Sequence, residues 1–538
     1  MFMFVCSHSR INVASRSFAT LVNPDKIASF DFTKQKIISL RPFDVLPSQF
    51  ADKLKNIPIE AQWDKPSPIV ICTRNPSGTS PKKHAYFGGL PALAQAVRSV
   101  LEKNTKEPVV YINDGCISKA TQSGHQAHVH PSEWTTPDCG IPHLIKTMLI
   151  GMGILKQPLA TDLKHYSYLH FPFSRQQFLH APGDHLSLYG RFFKHRVLHH
   201  LMSSHHSSSD DHWLCEGVRN SLNFYEKLNQ LIVEKAGTPI FQRGFRIYWS
   251  SDSAGLLRKK TTWESLGIPC EWMSQNEMNK TTLLDSKKSL YALKVLGDGR
   301  FFPNISEKSI EYLKQEYPNQ FEFKEHCAVS KIFVDFDSTQ PWGLETIDAF
   351  GKKELTHLHS FFGSPGHNKV FHEGSSKPLW EEVPVSGVSS LWVCTLNQED
   401  TLHKLENLQN IVASANLTNL HVTPWDVCVE QGQAKLLVRV TQGANFNSTI
   451  ADKNDLLNMA FNLKQFYVGD WELISAGTCT RKTTVANVPA YMSEWPDDSG
   501  FLHGLSGIGF SFSGVSKEFL KRPATEVTLK NALKKIFS

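Results

Sequence analysis

No C-x-x-C pair occurs in this chain, and its ten cysteines, from Cys6 to Cys479, are scattered without a dense cluster. That excludes a disulfide scaffold and a cysteine zinc framework, and the thiols read as buried groups in a reducing compartment. Long apolar runs are missing too: the longest, around Met148 to Leu155, is bounded by Lys146 and Lys156 and is too short to cross a bilayer. No transmembrane helix is expected, which leaves peripheral contact as the only membrane role open. No block of five or six basic residues stands out, and a net charge of +6 over 538 residues is small, so no nucleic-acid partner is expected. No G-x-S-x-G elbow gives a hydrolase a foothold, and no repeat of fixed period points to a solenoid or propeller.

What is present is ordinary globular composition, 41% hydrophobic and 20% charged, over a length that exceeds one hydrophobic core, so two domains are expected. Residues 1–24 contain Arg10 and Arg16, several serines and no acid before Asp25. A cationic, acid-poor leader suits import along a negative-inside membrane potential, and Arg16-Ser17-Phe18-Ala19 resembles a mitochondrial processing site. The expected location is mitochondrial, in the matrix or on the matrix face of the inner membrane; a plain disordered tail is the alternative.

Pro68-Ile69-Val70-Ile71-Cys72 reads as a short buried strand. A polar loop, TRNPSGTSPKKHAY, follows, and then Gly88-Gly89 opens an apolar-periodic helix with Leu90, Leu93, Ala96, Val97 and Val100 on one face. Val109 to Asp114 is a second strand ending in an acid. Strand, glycine loop, helix, strand and acid make a βαβ unit, in which glycine N–H groups approach a pyrophosphate and the acid, Asp114, binds a ribose. The G-x-G-x-x-G turn is expected directly after Cys72, yet fifteen residues separate Cys72 from Gly88.

Helices follow in GVRNSLNFYEKLNQLIVEKAG, SAGLLRKKTTWESLGI and EKSIEYLKQEY, with a strand at 245–249, a loop at Gly297-Asp298-Gly299, and strands at 321–324 and 329–336. Residues 388–440 carry β patterning in SSLWVCTL, HVTPWDVCVE and KLLVRVTQ, which suits a mostly antiparallel sheet.

Several segments fall in the order seen in the D-amino-acid dehydrogenase and glycine/D-amino-acid oxidase family, and the chain resembles that family from about 66 to 530. After Asp114 comes KATQSGHQAHVHPSEWTTPDCGIPHLIKTMLIG, which holds Thr121, Ser123 and Gly140-Ile141-Pro142. Asp298-Gly299 with Pro303 resembles the family's G-D-G turn. Phe361-Phe362-Gly363-Ser364 resembles its apolar strand closing in a glycine turn, and VPVSGVSSLWV the strand that enters its substrate domain. Trp471 precedes Arg481-Lys482-Thr483-Thr484-Val485-Ala486-Asn487-Val488-Pro489, where the family has W and then R-P-x-T-P-D-G-x-P. HGLSGIGFSFSGVSKEFL, with Gly504, Gly507 and Gly509, resembles its last glycine turn.

The resemblance implies an α/β fold with a Rossmann-like FAD-binding domain in three pieces, 66–180, 285–380 and 470–538. A second, mostly antiparallel β substrate domain would comprise 213–284 and 381–469, with a His/Ser-rich insertion at 181–212. It implies FAD as cofactor, held by Gly88, Gly89, Asp114, Thr121, Ser123, Gly363, Gly504, Gly507 and Gly509. Arg481 would fork onto a substrate carboxylate, and a small amine or D-amino acid would lose a hydride to the flavin. The electron acceptor is not written in the sequence. The competing expectation is a non-catalytic scaffold of a mitochondrial assembly with a degraded FAD site. It is suggested by the altered first loop, by Lys482, Ala486 and Asn487, by missing family residues in TQSGHQ, and by Ser386 where the family often has lysine. The histidines His195, His199, His200, His205, His206 and His212, with Asp210 and Asp211, read as a solvated loop, and no metal site is expected.

Overall fold

A computed structural model describes residues 68–102, 107–114, 209–251, 253–281, 290–302, 305–348, 350–366, 368–396, 411–416, 420–430, 433–444, 470–484, 488–493, 495–505 and 511–521, with short strands at 38–40, 59–60 and 128–129. The leader at 1–24, Thr121, Ser123, Gly140-Ile141-Pro142, Gly507, Gly509 and most of the 181–212 segment lie outside the described residues.

Along the chain come β1 (Ile38–Leu40), β2 (Ile59–Glu60), β3 (Ile69–Thr73), β4 (Lys83–Gly88), helix α1 (Leu90–Glu102), β5 (Val109–Asn113) and β6 (His128–Val129). Helix α2 (Ser209–Ala236), β7 (Phe241–Ser250), α3 (Ser253–Ser265), β8 (Cys270–Met273), α4 (Gln275–Thr281), β9 (Tyr291–Phe301) and α5 (Ile305–Glu316) follow. The remainder is mostly β: β10 (Phe321–Glu325), β11 (Cys327–Val334), β12 (Pro341–Asp348), β13 (Lys353–Ser364), β14 (Val370–His372), β15 (Val383–Leu396), β16 (Ile411–Asn416), β17 (Leu420–Glu430) and β18 (Gln433–Ala444). Last are β19 (Asp470–Thr483), β20 (Ala490–Met492), β21 (Gly500–His503) and α6 (Lys517–Leu520).

The chain is α/β, with two sheets. In the first, β10, β5, β4, β13 and β21 run parallel side by side. Strand β13 is long because it serves two partners: its first half closes an antiparallel meander with β12 and β11, and its second half, from Leu358, pairs with β4. Strand β3 joins this sheet at the far side of β11, beside β14. Alternation along each strand divides the side chains between two cores. Tyr86, Val109, Tyr111 and Phe362 pack against α1, α2, α5 and α6. Ala85, Phe87, Val110, Ile112 and Phe361 pack against Ile332, Val334, Leu344 and Trp495, from the meander and the segment before β21. The order is helices, parallel sheet, then meander. Helix α2 falls in the 213–284 stretch assigned above to the substrate half, yet it buries Leu214, Val218, Leu222 and Tyr225 in the same core as α1.

The second sheet is mostly antiparallel, ordered β1-β19-β15-β18-β17-β16-β7-β9-β6, as the patterning of 388–440 implied. Here the expected loop at Gly297-Asp298-Gly299 is instead the middle of β9. Gly244 pairs with Asp298 and Phe245 with Leu296, which leaves Gly297 as the extra residue of a β-bulge at φ +88°. Asp298 and Arg246 are both fully buried there, with Nε 3.3 Å from Oδ2 and an Arg246 Nη1 donating to the Tyr248 hydroxyl at 3.0 Å. Asp298 therefore serves the sheet interior. The periodicity of residues 294–300 conceals this because a bulge resets the alternation.

Candidate dinucleotide site

The polar stretch after Cys72 contains β4, and this changes which strand leads into the glycines. Lys83–Gly88 runs straight into Gly88-Gly89 and α1, so β4–α1–β5 is the parallel crossover unit, while β3 lies five strands from β5 in the sheet order. The loop insertion expected between strand and turn does not exist, because those residues contain β4. In register with G-x-G-x-x-G/A, Phe87 takes the place of the first glycine, Gly89 the second and Ala92 the third. Ala92 is fully buried, as close packing of helix on sheet requires.

Gly88 has φ +111°, and a Cβ there would sit 2.0 Å from the Ser364 carbonyl oxygen, so only glycine lets β4 and β13 finish side by side. The Gly89 carbonyl accepts from the Ala92 N–H at 3.0 Å and the Leu93 N–H at 3.3 Å and so starts the helix. Among the described residues, a Cβ on Gly89 would meet nothing closer than Pro91 Cδ at 3.8 Å. That opening faces the N-terminus of α1 at the carboxyl ends of parallel strands, where open α/β sheets receive phosphates. Pro91 removes one N–H from the first turn, and the Gly89 N–H points at the Ser364 carbonyl, 3.4 Å away.

Gly363 does not face this opening. A Cβ there would strike the Phe87 ring at 2.6 Å and the Phe501 ring at 2.8 Å, so Gly363 makes room for the aromatic that replaced the first glycine. Phe87 is buried against Phe361 and Phe501. The end of β5 is also rearranged. Asn113, buried, donates to the Gly88 carbonyl at 3.2 Å, and the Tyr111 hydroxyl donates to the same oxygen at 2.8 Å. Asp114 follows as an exposed residue whose carboxyl is pushed above the usual range by desolvation, offset by a hydrogen bond from Asn368.

On the other side of β13, β21 ends at the same edge. Gly504 sits at φ +68° and its N–H donates to Glu382 Oε1 at 2.9 Å. Beside it His503 stacks on Trp380 with centroids 4.6 Å apart, its Nδ1 3.9 Å from the same carboxylate. Burial lowers the His503 pKa to about 4, so the imidazole is neutral at neutral pH and this contact is not an ion pair. Its buried Nδ1 has no hydrogen-bond partner among the described residues. His503, Glu382 and Trp380 were missed in the sequence because they come from two separated segments and match no spacing rule. Arg481 lies in β19 with its backbone opposite Ser386 of β15, and its side chain is outside the described residues. After it, the Thr484 hydroxyl donates to the Val488 carbonyl at 2.7 Å, beside Pro489.

No protein-family model and no curated protein matches this chain. Among solved structures, glycine oxidase from Bacillus cereus ATCC 14579 is 12% identical with a TM-score of 0.45, over 83% of this chain and 100% of that chain. L-proline dehydrogenase from P.horikoshii is 13% identical with a TM-score of 0.46, over 84% of this chain and 96% of that one. An FAD-bound L-alpha-glycerophosphate oxidase from Mycoplasma pneumoniae is 11% identical with a TM-score of 0.45, over 86% and 96%. Overlap of this extent leaves the chemistry to be read from the chain's own geometry.

Proposed function

We propose that this chain is a divergent FAD-dependent oxidoreductase that takes a hydride from a small amine or D-amino acid. The observation that carries the proposal is the β4–Gly88–Gly89–α1–β5 crossover. Among the described residues nothing but Pro91 crowds its helix N-terminus at Gly89, at the carboxyl edge of a parallel sheet backed by a meander. Gly89 and the first turn of α1 would hold the pyrophosphate, with one donor fewer than usual because of Pro91. Asp114 would face the ribose. The turn after β21, with Gly504 and the His503 Nδ1 that has no hydrogen-bond partner among the described residues, lies at the same sheet edge and would border the isoalloxazine. When bound, flavin supplies the electron sink for carbon–hydrogen oxidation. The chain's own work is orientation: Arg481 would clamp a carboxylate, and the buried His503 and Trp380 would keep water from the reacting face.

The leader composition supports mitochondrial delivery as part of this proposal, and the electron acceptor is left unspecified. Among the described residues no helix is long and apolar enough to cross a membrane.

A second reading, a scaffold that keeps the fold without the cofactor, is favoured by three details: Phe87 in the first glycine's place, Pro91 in the first turn, and Asn113 donating to the Gly88 carbonyl. Absorption of the purified full chain separates the two. A flavin band bleached anaerobically by amino acids, and no longer bleached in Arg481→Ala, is the expected result. A protein that stays colourless after incubation with FAD would overturn the enzyme reading.

A further inference from the structure

At the opposite, amino-terminal edge of the parallel sheet, His84 from β4, His359 from β13 and Glu107, two residues before β5, converge. One ligand-type atom from each lies within 4.8 Å of those of the other two. The sheet fixes their positions. His84 is in register with Val109 on one side and Ser360 on the other, and its N–H donates to the Pro108 carbonyl at 3.0 Å. A register shift between Leu358 and Ser360 sets two residues of β13 against one of β4. Such a bulge re-aims side chains. It allows Ser360 to reach one nitrogen of His84 while the His359 ring approaches His84 edge-on, with centroids 4.8 Å apart.

The hydrogen bond decides the chemistry of the pair. His84 Nδ1 lies 2.8 Å from Ser360 Oγ, and Nε2 lies 3.6 Å from Glu107 Oε2. In the tautomer with Nδ1–H donated to the hydroxyl, the neutral ring turns a lone pair toward the Glu107 carboxylate, and a cation shared between the two acceptors satisfies both. A metal-ligating histidine usually donates its other ring N–H to an oxygen acceptor, and Ser360 Oγ supplies such an oxygen. Two imidazoles and one carboxylate, with the fourth direction open to solvent, match the donor set of a three-ligand zinc-type site.

We propose that His84, Glu107 and His359 bind a divalent transition ion of the zinc class and that the ion clips together the starting ends of three parallel strands. The site is independent of the flavin reading, since it lies at the other end of the strands. Nothing in the sequence announces it: the three ligands come from segments far apart, with no helical or hairpin spacing.

The test uses the full-length chain stripped with chelator and titrated with Co²⁺ and with Zn²⁺ alone. Wild type is expected to take up one more ion per chain than His359→Ala, with a visible tetrahedral Co²⁺ band lost in that variant and a melting temperature raised by Zn²⁺ only in wild type. His359 and Glu107 are exposed, so His359→Ala and Glu107→Gln should fold. Ser360→Ala should weaken binding about 10–100-fold without changing the ion count. The histidine-rich segment can also take metal, so the comparison is repeated with His199, His200, His205 and His206 all replaced by Ala. A one-ion difference that persists in that background supports the site. Loss of the difference there, or equal ion count and band in wild type and His359→Ala, would overturn it.

Discussion

Gly88 and Gly297 both hold positive φ angles, yet they are glycines for different reasons. At Gly88 the neighbouring backbone is the constraint: a Cβ would lie 2.0 Å from the Ser364 oxygen, at the end of a parallel strand pressed against its neighbour. At Gly297 a Cβ would meet nothing within 4 Å, and only the φ of +88° at the bulge in β9 calls for glycine. The two regions also settle their buried polar groups differently. The turn at Gly88 is tied by neutral donors, Tyr111 and Asn113, onto one carbonyl. The bulge in β9 sits beside a fully buried charge pair, Arg246 with Asp298. Neutral networks lose an increment when one member goes, whereas a charge pair leaves an uncompensated ion.

That contrast sets the expected sizes. Asp298→Ala should be the most damaging change, about 3–5 kcal/mol, because it removes the carboxylate facing a fully buried guanidinium; denaturant unfolding reads it, and a loss below 1 kcal/mol would mean that Asp298 is not the charge that holds Arg246 in the sheet. Gly88→Ala should cost about 2–5 kcal/mol from an unfavourable φ together with displaced backbone, and it should abolish any flavin band.

The third test concerns acid. His503 has a folded-state pKa of about 4 against an ordinary value near 6.5. Above about 6.5 it is neutral both folded and unfolded, so its full contribution is present. As pH falls from there toward 4 the unfolded chain takes up the proton and the folded one does not. About 3 kcal/mol should be lost across that window, with no further loss below it. His503→Gln should remove that part of the slope in stability measured at several pH values; an unchanged slope would contradict a buried neutral imidazole. The smallest effect belongs to Gly297→Ala, about 1 kcal/mol for the backbone conformation alone. If Gly297→Ala proved as costly as Gly88→Ala, the distinction between a crowded and an open glycine would fail.

Much of the layout was legible. The helix after Gly88-Gly89 and the strand at 109–113 announce themselves through apolar patterning that their burial matches, and the 388–440 segment through β patterning that its strands follow. Strand β4 was not legible, because Lys83 and His84 at its start are polar and its apolar part is only Ala85, Tyr86 and Phe87. Missing it made the glycine turn look broken by an insertion, when the real alteration is substitution within the turn. The surroundings of Gly363 and Asp298 were not legible for a related reason. A glycine or an acid in a one-dimensional motif carries no sign of whether it faces a ligand, a neighbouring ring or a buried arginine.

Strand β13 has a consequence for how the molecule assembles. Its first half pairs with β12 through a short turn, so that hairpin can close quickly from local contacts. Its second half must find β4, and His84 and Ser360, hydrogen-bonded across that seam, are 276 residues apart in the chain. Until they meet, a formed hairpin carries a trailing segment, Leu358 to Ser364, that includes two phenylalanines and an unpaired edge. Such an edge is a template for wrong partners. The rate at which the parallel sheet closes over that segment, more than the stability of either sheet, should decide how much of this chain reaches its native state.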